Sequence, residues 1–200
     1  MTFQPPVTVS DEIAHRNEAI VLGQLRTPLG VFGAALTPAG LGRLTFPAEP
    51  FGRCEAWARR WMPMAELRQD QAALRSLAKQ LNAYLEGDLR DFSVPIDLRG
   101  TPFQVAVWQA LQQIGYGEVR SYAAVAGTVG RPTAVRAVGA ANGVNPVPII
   151  VPCHRVIGSN GTLTGYGGGM EMKAWLLRRE GIDIDASPSA HNKKAIRRAT

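Results

Sequence analysis

Residues 148–158 constrain the fold more than any other part of the chain, because branched apolar residues lead directly into a group of reactive ones. The segment reads PIIVPCHRVIG, and its apolar half predicts a buried, extended stretch that ends at Cys153. A buried cysteine is usually an inert small hydrophobe, which is the role predicted for Cys54. At Cys153 the adjacent His154 and Arg155 favour a thiolate, so a nucleophile is predicted there.

A histidine and a glutamate are predicted to activate Cys153. Neighbours along an extended strand point to opposite faces, so contact between Cys153 and His154 requires a turn or a bridging water. Glu180 precedes a predicted helix stop at Gly181, where a carboxylate faces the negative end of the helix dipole and needs a tertiary partner. An imidazole is a suitable one. The pattern predicts a Cys–His–Glu relay, with a solvated surface glutamate as the alternative.

Three helices are predicted before this cluster. Thr101, Pro102 and Gln104 form a helix start, in which threonine caps, proline occupies the first turn and glutamine completes a capping box. This helix is predicted to end at Gly115. Ser121 is predicted to cap a short helix, SYAAVA, which breaks at GTVGRP before a second helix, TAVRAVGAAN. Two short helices across such a break resemble a helix-turn-helix, although this motif also arises by chance.

The second helix of the pair has a bare face. Arg136, Gly139, Ala140 and Gly143 follow one another about one turn apart. Helices that recognise bases in the major groove carry several long polar side chains. A glycine-rich ledge with one arginine suits the minor groove, where that arginine can enter the base stack. Glycine inside a helix costs about 1 kcal/mol, so stability does not explain the ledge; tight packing against another part of the protein is the alternative.

The first hundred residues predict a smaller lobe of strands and helices. Residues 18–46 contain the apolar runs EAIVLGQL, VFGAAL and LGRLTF, separated by the turn sequences TPLG and TPAG, as in antiparallel strands. Two helices are predicted next, and the longer ends at Gly87. Its buried stripe is predicted to consist of Leu67, Leu74, Leu77, Leu81 and Leu85.

These elements predict an α+β fold in three parts. Residues 1–92 form an N-terminal lobe with a small antiparallel sheet and helices. Residues 93–182 form a mostly helical domain with the helix-turn-helix and the active-site cysteine. Residues 183–200 form a basic tail that is predicted to be flexible.

Composition and charge exclude several classes of protein. No run of about eighteen apolar residues exists, and the start of the chain lacks the pattern of a secretion signal, so a cytoplasmic location is predicted. A monomer is the default expectation. One pair of cysteines, Cys54 and Cys153, does not make a disulfide scaffold. The net charge is +6, and residues 101–181 carry seven basic against three acidic side chains, or +4. This excess is a weak indication of a polyanionic partner.

Residues 101–181 closely resemble the O6-alkylguanine-DNA alkyltransferase family, and its bacterial constitutive type most of all. The matching segments are FQVAVWQAL, GEVRSYAAVAG, VRAVGAANGVNPVPIIVPCHRVIG and GYGGGMEMKAWLLRREG. The motif PCHRV, placed between a helix-turn-helix and the motif GYxGG, is highly specific to this family. Any one of these motifs alone is not. Residues 18–100 resemble the family's N-terminal lobe only loosely.

The resemblance implies the roles of the relay residues. Cys153 would accept the alkyl group, and His154 would take its proton through a water molecule while Glu180 orients the imidazole. Asn145 would brace the active-site turn by hydrogen bonds. The implied reaction is a single displacement that ends in a thioether, so one molecule repairs one lesion and needs no cofactor.

The resemblance also implies how double-stranded DNA containing O6-alkylguanine is bound. Tyr122 would press on the phosphate 3′ to the target and help to rotate the nucleotide outward, and Arg136 would fill its place in the stack. Tyr166 would hydrogen-bond the extruded purine and stabilise it as a leaving group. Gly139 and Ala140 would form the ledge against the groove. O4-alkylthymine is a second candidate substrate.

Two features of this chain differ from those of some members of the family that it resembles. Where those relatives have a serine that faces the guanine oxygen, Gly167 offers only a backbone N–H. Others bind zinc in the N-terminal lobe, but residues 1–100 contain only Cys54 and His15 as candidate ligands of those types, so no metal is predicted.

Three other functions fit parts of the pattern. A sensor of the alkyltransferase-like kind would bind damaged guanine without transfer, but such proteins replace the acceptor cysteine. A cysteine hydrolase would use Cys153 and His154 repeatedly and would not need Arg136. A sequence-specific regulator would use the helix-turn-helix but lacks side chains that recognise bases.

Overall fold

The structure is a computed structural model that describes residues 19–184. It contains the predicted α+β fold, with a four-stranded sheet in the N-terminal lobe and a mostly helical C-terminal part. The elements are β1 (Ala19–Thr27), β2 (Gly30–Thr37), β3 (Gly40–Leu44), α1 (Gly52–Trp61), β4 (Glu66–Gln69), α2 (Arg75–Glu86), α3 (Pro102–Gln112), β5 (Arg120–Ser121), α4 (Tyr122–Thr128), α5 (Val135–Gly143), a 3-10 helix (Cys153–Arg155), β6 (Val156–Ile157) and α6 (Met170–Arg179).

The three predicted antiparallel strands are present, and a fourth strand makes the sheet mixed. The strand order is β3-β2-β1-β4, and β4 pairs parallel to β1. The tight turns between the first three strands use Gly30 and Gly40 at φ values of 117° and 141°, which favour glycine. Leu67 was predicted on the long helix but lies on β4, opposite Ile20. The spacing between Leu67 and Leu74 matches the helical period by coincidence.

Helix α2 carries the rest of the predicted stripe on its buried face. Leu74 caps it, and Leu77, Leu81 and Leu85 are at most 2% exposed. Gly87 ends the helix in the left-handed conformation, as predicted. Tyr84 is also fully buried on this face, which points toward the C-terminal part of the chain.

The predicted connector pairs with the edge of the sheet before α3 begins. Leu41 donates to the carbonyl of Pro95, and Asp97 donates back to Leu41. Helix α3 then begins with the predicted capping box of Thr101 and Gln104. It ends at Gln112, three residues before the predicted stop at Gly115.

The helix pair predicted as a helix-turn-helix consists of α4 and α5. Ser121 caps α4, as predicted, by accepting a hydrogen bond from the backbone of Ala124 at 3.1 Å. The Trp108 indole of α3 donates to the carbonyl of Ala141 at 2.8 Å, which fixes the end of α5.

A continuous core joins the two predicted parts. The main cluster of buried side chains includes Phe32 and Leu81 from the sheet and α2, and Val107, Val138 and Leu176 from α3, α5 and α6. The division at residue 92 remains a prediction. Residues 185–200 of the predicted tail lie outside the described part of the chain.

Candidate active site

Cys153 follows a tight buried turn and not the predicted extended stretch. Pro148 and Val151 form an isolated bridge, and the chain turns between them at Ile149, whose φ is 73°. A β-branched residue rarely adopts this left-handed conformation, so the turn is locally strained. Cys153 then begins the short 3-10 helix. Burial was predicted correctly but extension was wrong, because apolar content does not distinguish a buried strand from a buried turn.

Asn145 holds this turn from both ends. Its side-chain nitrogen donates to the carbonyl of Val151 at 2.8 Å, and its oxygen accepts from the backbone of Val147 at 3.0 Å. Burial raises the pKa of the Cys153 thiol, and a hydrogen bond from the Asn145 side chain opposes that rise. The predicted bracing residue therefore lies beside the thiol and fixes the backbone that carries it.

The structure brings His154 and Glu180 together. Both side chains are fully buried, and His154 Nε2 lies 2.8 Å from Glu180 Oε1. Burial lowers the pKa of His154, which favours the neutral imidazole. Because the carboxylate can only accept, Nε2 carries the proton and Nδ1 keeps a lone pair. Nδ1 is buried and has no hydrogen-bond partner among residues 19–184, so it is available as a base.

Two further side chains hold Glu180, and neither was predicted to do so. Arg155 makes a bidentate contact, with Nε 2.9 Å from Oε2 and Nη2 3.0 Å from Oε1. The hydroxyl of Tyr84, on α2, donates to Oε1. Burial would raise the pKa of Glu180, but hydrogen bonds from His154 and Arg155 lower it to about 2. The carboxylate is therefore ionised at neutral pH.

A buried lysine also lies in this region. Lys173 is fully buried on α6, and its ammonium donates to the carbonyls of Val156 at 2.7 Å and Thr164 at 3.0 Å. Burial lowers its pKa to about 8. The sequence signal was present: Lys173, Leu176 and Glu180 recur at helical spacing and share the inward face of α6.

A small cavity of about 20 Å³ lies beside Cys153. Tyr166 lines it, and its hydroxyl is buried without a partner among the described residues. The Tyr166 ring packs edge-on against Phe46, with centroids 5.2 Å apart. Phe46 follows β3 and brings the N-terminal lobe to the cavity, which was not predicted. Burial raises the pKa of Tyr166, so its hydroxyl stays protonated.

Gly167 also lines this cavity, and Phe46 explains why it carries no side chain. A Cβ at Gly167 would lie 2.9 Å from Phe46 Cε2, and one at Gly168 would lie 2.7 Å from Phe46 Cδ1. A serine at position 167 would therefore require the Phe46 ring to shift.

The predicted ledge is exposed on α5. Arg136, Ala140 and Gly143 face outward, and Gly139 is partly exposed. A methyl at Gly143 would meet nothing within 4 Å, and one at Gly139 would meet only the Tyr122 ring at 3.8 Å. Tight packing within residues 19–184 therefore does not explain these glycines.

Tyr122 lies at the start of α4, next to the ledge. It is partly buried, and its hydroxyl accepts a hydrogen bond from Thr164 at 3.0 Å. Thr164 in turn lies two residues before Tyr166, so the ledge and the cavity meet through this contact.

No group of three or more His, Cys, Asp or Glu side chains in the described part of the chain could hold a metal ion. None of the helices between residues 19 and 184 has the length and apolarity to cross a membrane. Cys54 is buried, and burial raises its pKa to about 12, which suits the inert role predicted for it.

A bare helix of a helix-turn-helix, next to a buried thiol with a histidine and a carboxylate behind it, defines a class of proteins that perform nucleophilic chemistry on DNA. Two family descriptions match the chain: "6-O-methylguanine DNA methyltransferase, ribonuclease-like domain" over residues 20–98, and its "DNA binding domain" over residues 102–182. The chain belongs to the methylated-DNA–protein-cysteine methyltransferase family.

Individual relatives agree with this assignment. The inducible methylated-DNA–protein-cysteine methyltransferase of Bacillus subtilis is 48% identical over 149 residues, which cover 74% of this chain and 83% of the relative. The constitutive protein of the same organism is 56% identical over 110 residues, covering 54% of this chain and 67% of the relative. The predicted resemblance to the constitutive type is thus confirmed.

Solved structures show the same fold. The crystal structure of Mycobacterium tuberculosis OGT in complex with DNA has a TM-score of 0.68 and 43% identity. The match covers 82% of this chain and 92% of that one. A structure of the O6-methylguanine methyltransferase from the same organism has a TM-score of 0.69.

Proposed function

We propose that this protein repairs O6-alkylguanine in double-stranded DNA by moving the alkyl group irreversibly onto Cys153. The observation that carries the proposal is the position of Cys153. This thiol lies in a buried cavity beside the His154–Glu180 pair, under the exposed ledge of α5. The names of the relatives describe the same reaction.

The chemistry is one displacement. His154 Nδ1 takes the Cys153 proton through a water molecule, and the resulting imidazolium is stabilised by Glu180. The thiolate attacks the alkyl carbon, a C–S bond forms, and the C–O bond breaks with its electron pair left on the guanine oxygen. The protonated Tyr166 hydroxyl lines the same cavity and is placed to donate to the departing purine. Water has no comparable route to reopen a thioether, so the protein is consumed.

The DNA-binding part of the proposal rests on α5. Its glycines let the groove approach the backbone, and Arg136 is exposed and free to enter the vacated position in the stack. Tyr122, next to Gly139, would press on the phosphate that must rotate. Extrusion of the nucleotide costs a few kcal/mol, which these contacts and the cavity offset.

Mass spectrometry of the protein after reaction with DNA tests the proposal. Duplex DNA carrying a labelled methyl at guanine O6 is mixed with the protein, and we expect one methyl on Cys153. Cys153→Ala should gain none, whereas Cys54→Ala should react like the parent. Many turnovers with unmodified protein would support the hydrolase instead, and binding without transfer would support the sensor.

We further propose that the protein acts in the cytoplasm as a monomer, and that O4-alkylthymine is a secondary substrate. Sedimentation of the free protein would reveal a dimer, and the same mass measurement with O4-methylthymine would test the second substrate.

A further inference from the structure

The cavity contains a buried asparagine that the reaction above does not use. Asn142 is 4% exposed and lies near the end of α5, on the inward face that it shares with Val138. Its Nδ2 lies 3.5 Å from the carbonyl oxygen of Cys153, at the long limit of a hydrogen bond. The free end is Oδ1, which is buried without a hydrogen-bond partner among residues 19–184.

Three buried polar atoms of the site lack a partner within the described chain: His154 Nδ1, Tyr166 OH and Asn142 Oδ1. A fourth such atom, Trp57 Nε1, belongs to a separate cluster in the N-terminal lobe. Buried polar groups are nearly always hydrogen-bonded, and an exception at a site points to a ligand. The first two already have a role in the proposed reaction, and Asn142 lines the same cavity as Tyr166 and Cys153.

The space next to Asn142 is open to the DNA-facing side. Gly143, the following residue, is exposed, and a methyl there would meet nothing within 4 Å. Gly143 and Asn142 both line the cavity. A base that enters over the end of α5 would therefore meet a cavity wall that includes Asn142.

The chemistry of the substrate identifies the missing donor. Alkylation at O6 removes the hydrogen from N1 of guanine, so the exocyclic amine at C2 is the only N–H donor left on the base. O4-alkylthymine has no N–H donor. An unpartnered carbonyl oxygen in the cavity is complementary to that one amine.

We propose that Asn142 Oδ1 accepts a hydrogen bond from the C2 amine of the extruded O6-alkylguanine and thereby sets a preference for guanine. This inference rests on the function proposed above. The substrate lacking only the amine, O6-alkylhypoxanthine, is expected to react about tenfold more slowly, since a buried acceptor left unpaired disfavours its binding.

The test combines two substrates with variants of Asn142. Single-turnover methyl transfer is measured from duplexes that contain O6-methylguanine or O6-methylhypoxanthine, with excess protein. Asn142→Leu removes the acceptor at similar size, and its guanine-to-hypoxanthine rate ratio should fall to about one. Asn142→Asp keeps an acceptor, so it should retain the preference for guanine, although both substrates should react more slowly. Asn82→Leu, a half-buried asparagine of α2 outside the site, should keep the parent ratio.

The ratio separates recognition from a structural role. A parent ratio near one, or an equal ratio in the parent and Asn142→Leu, would overturn the inference, because a residue that only supports the fold slows both substrates alike. If Asn142→Leu does not fold, Asn142→Ala gives the same comparison. Failure of the parent to transfer methyl from either duplex would refute the proposed function itself.

Discussion

Glu180 receives hydrogen bonds from three side chains and from the backbone of Gly117. His154 and Arg155 share one carboxylate, so the group that orients the imidazole also neutralises a buried guanidinium. Loss of this carboxylate would leave the buried Arg155 guanidinium without its ionic partner, which destabilises a fold strongly. Its removal should therefore affect both activity and stability.

We predict that Glu180→Gln lowers stability by about 3 kcal/mol at pH 7, because the folded pKa of about 2 lies below the ordinary value of 4.5. A depressed carboxyl pKa contributes stability that is present above pH 4.5 and is lost as the pH falls toward 2. Urea unfolding at several pH values measures this. The parent should lose more stability than the variant within that window, and equal slopes would contradict the prediction.

The exposed Glu171 at the start of α6 provides a matched control. Glu171→Gln removes a charge from the same helix but leaves the buried network intact. Its unfolding free energy should stay within about 0.5 kcal/mol of the parent.

A second residue-scale prediction concerns Gly167. Gly167→Ser should slow methyl transfer by about tenfold, because the new Cβ would lie 2.9 Å from the Phe46 ring and force the Tyr166 segment to shift. When Phe46 is also replaced by leucine, the same serine should slow methyl transfer much less. Transfer rates of the four proteins form a double-mutant cycle, and additive effects would show that Phe46 does not exclude the side chain.

The sequence predicted residues whose local context is unusual, and it missed those whose role depends on distant contacts. Glu180 stood out because a carboxylate at a helix end is unfavourable. Tyr84 and Phe46 have ordinary apolar contexts in their own segments, and only the packing of the two lobes brings them to Glu180 and Tyr166. Lys173 could have been found from its helical spacing.

At the scale of elements, α5 carries glycines at positions 139 and 143. Glycine lowers helix stability, and no neighbour in the described chain requires the space at these positions. The strand–helix sequence of the chain was predictable because turn glycines, the Thr101 capping box and helical periodicity are local signals. Strand β4 and the turn at Ile149 were missed, since parallel pairing with β1 and the hydrogen bonds of Asn145 are not local. The bare face of α5 could be recognised in the sequence because glycine inside a helix is costly, and its role toward DNA stays a prediction.

We therefore predict that Gly139→Ala raises stability by about 1 kcal/mol and weakens DNA binding several-fold. The methyl would make ordinary contact with Tyr122 at 3.8 Å inside the protein, but it would stand between the ledge and the groove. Urea unfolding and titration of a fluorescent duplex measure the two effects. Gly52→Ala, at the start of α1, where a methyl would meet nothing within 4 Å, should leave DNA affinity unchanged. Unchanged affinity in Gly139→Ala would show that DNA does not approach α5 closely.

At the scale of the whole molecule, the two lobes share both a core and a catalytic network. The core cluster runs from Phe32 to Leu176, and Tyr84 of α2 donates directly to Glu180. The Arg179 side chain also donates to the carbonyl of Leu85 at 2.8 Å. Lobes joined in this way should unfold together, so a disturbance at Cys153 is transmitted to the whole fold.

Alkylation of Cys153 should therefore lower the melting temperature of the entire protein in a single transition. The cavity of about 20 Å³ beside Cys153 is lined by Phe46, Tyr166 and Pro148, so an alkyl group on the sulfur would crowd these side chains. Overpacking of a core typically costs about 1–3 kcal/mol, which corresponds to a decrease of roughly 2–10 °C in a protein of this size. Calorimetry of protein reacted with O6-methylguanine or O6-benzylguanine DNA should show a larger decrease for benzyl than for methyl. Cys153→Ala treated with the same DNA should melt unchanged, and coincident melts of free and alkylated parent would mean that the cavity relaxes without cost to the fold.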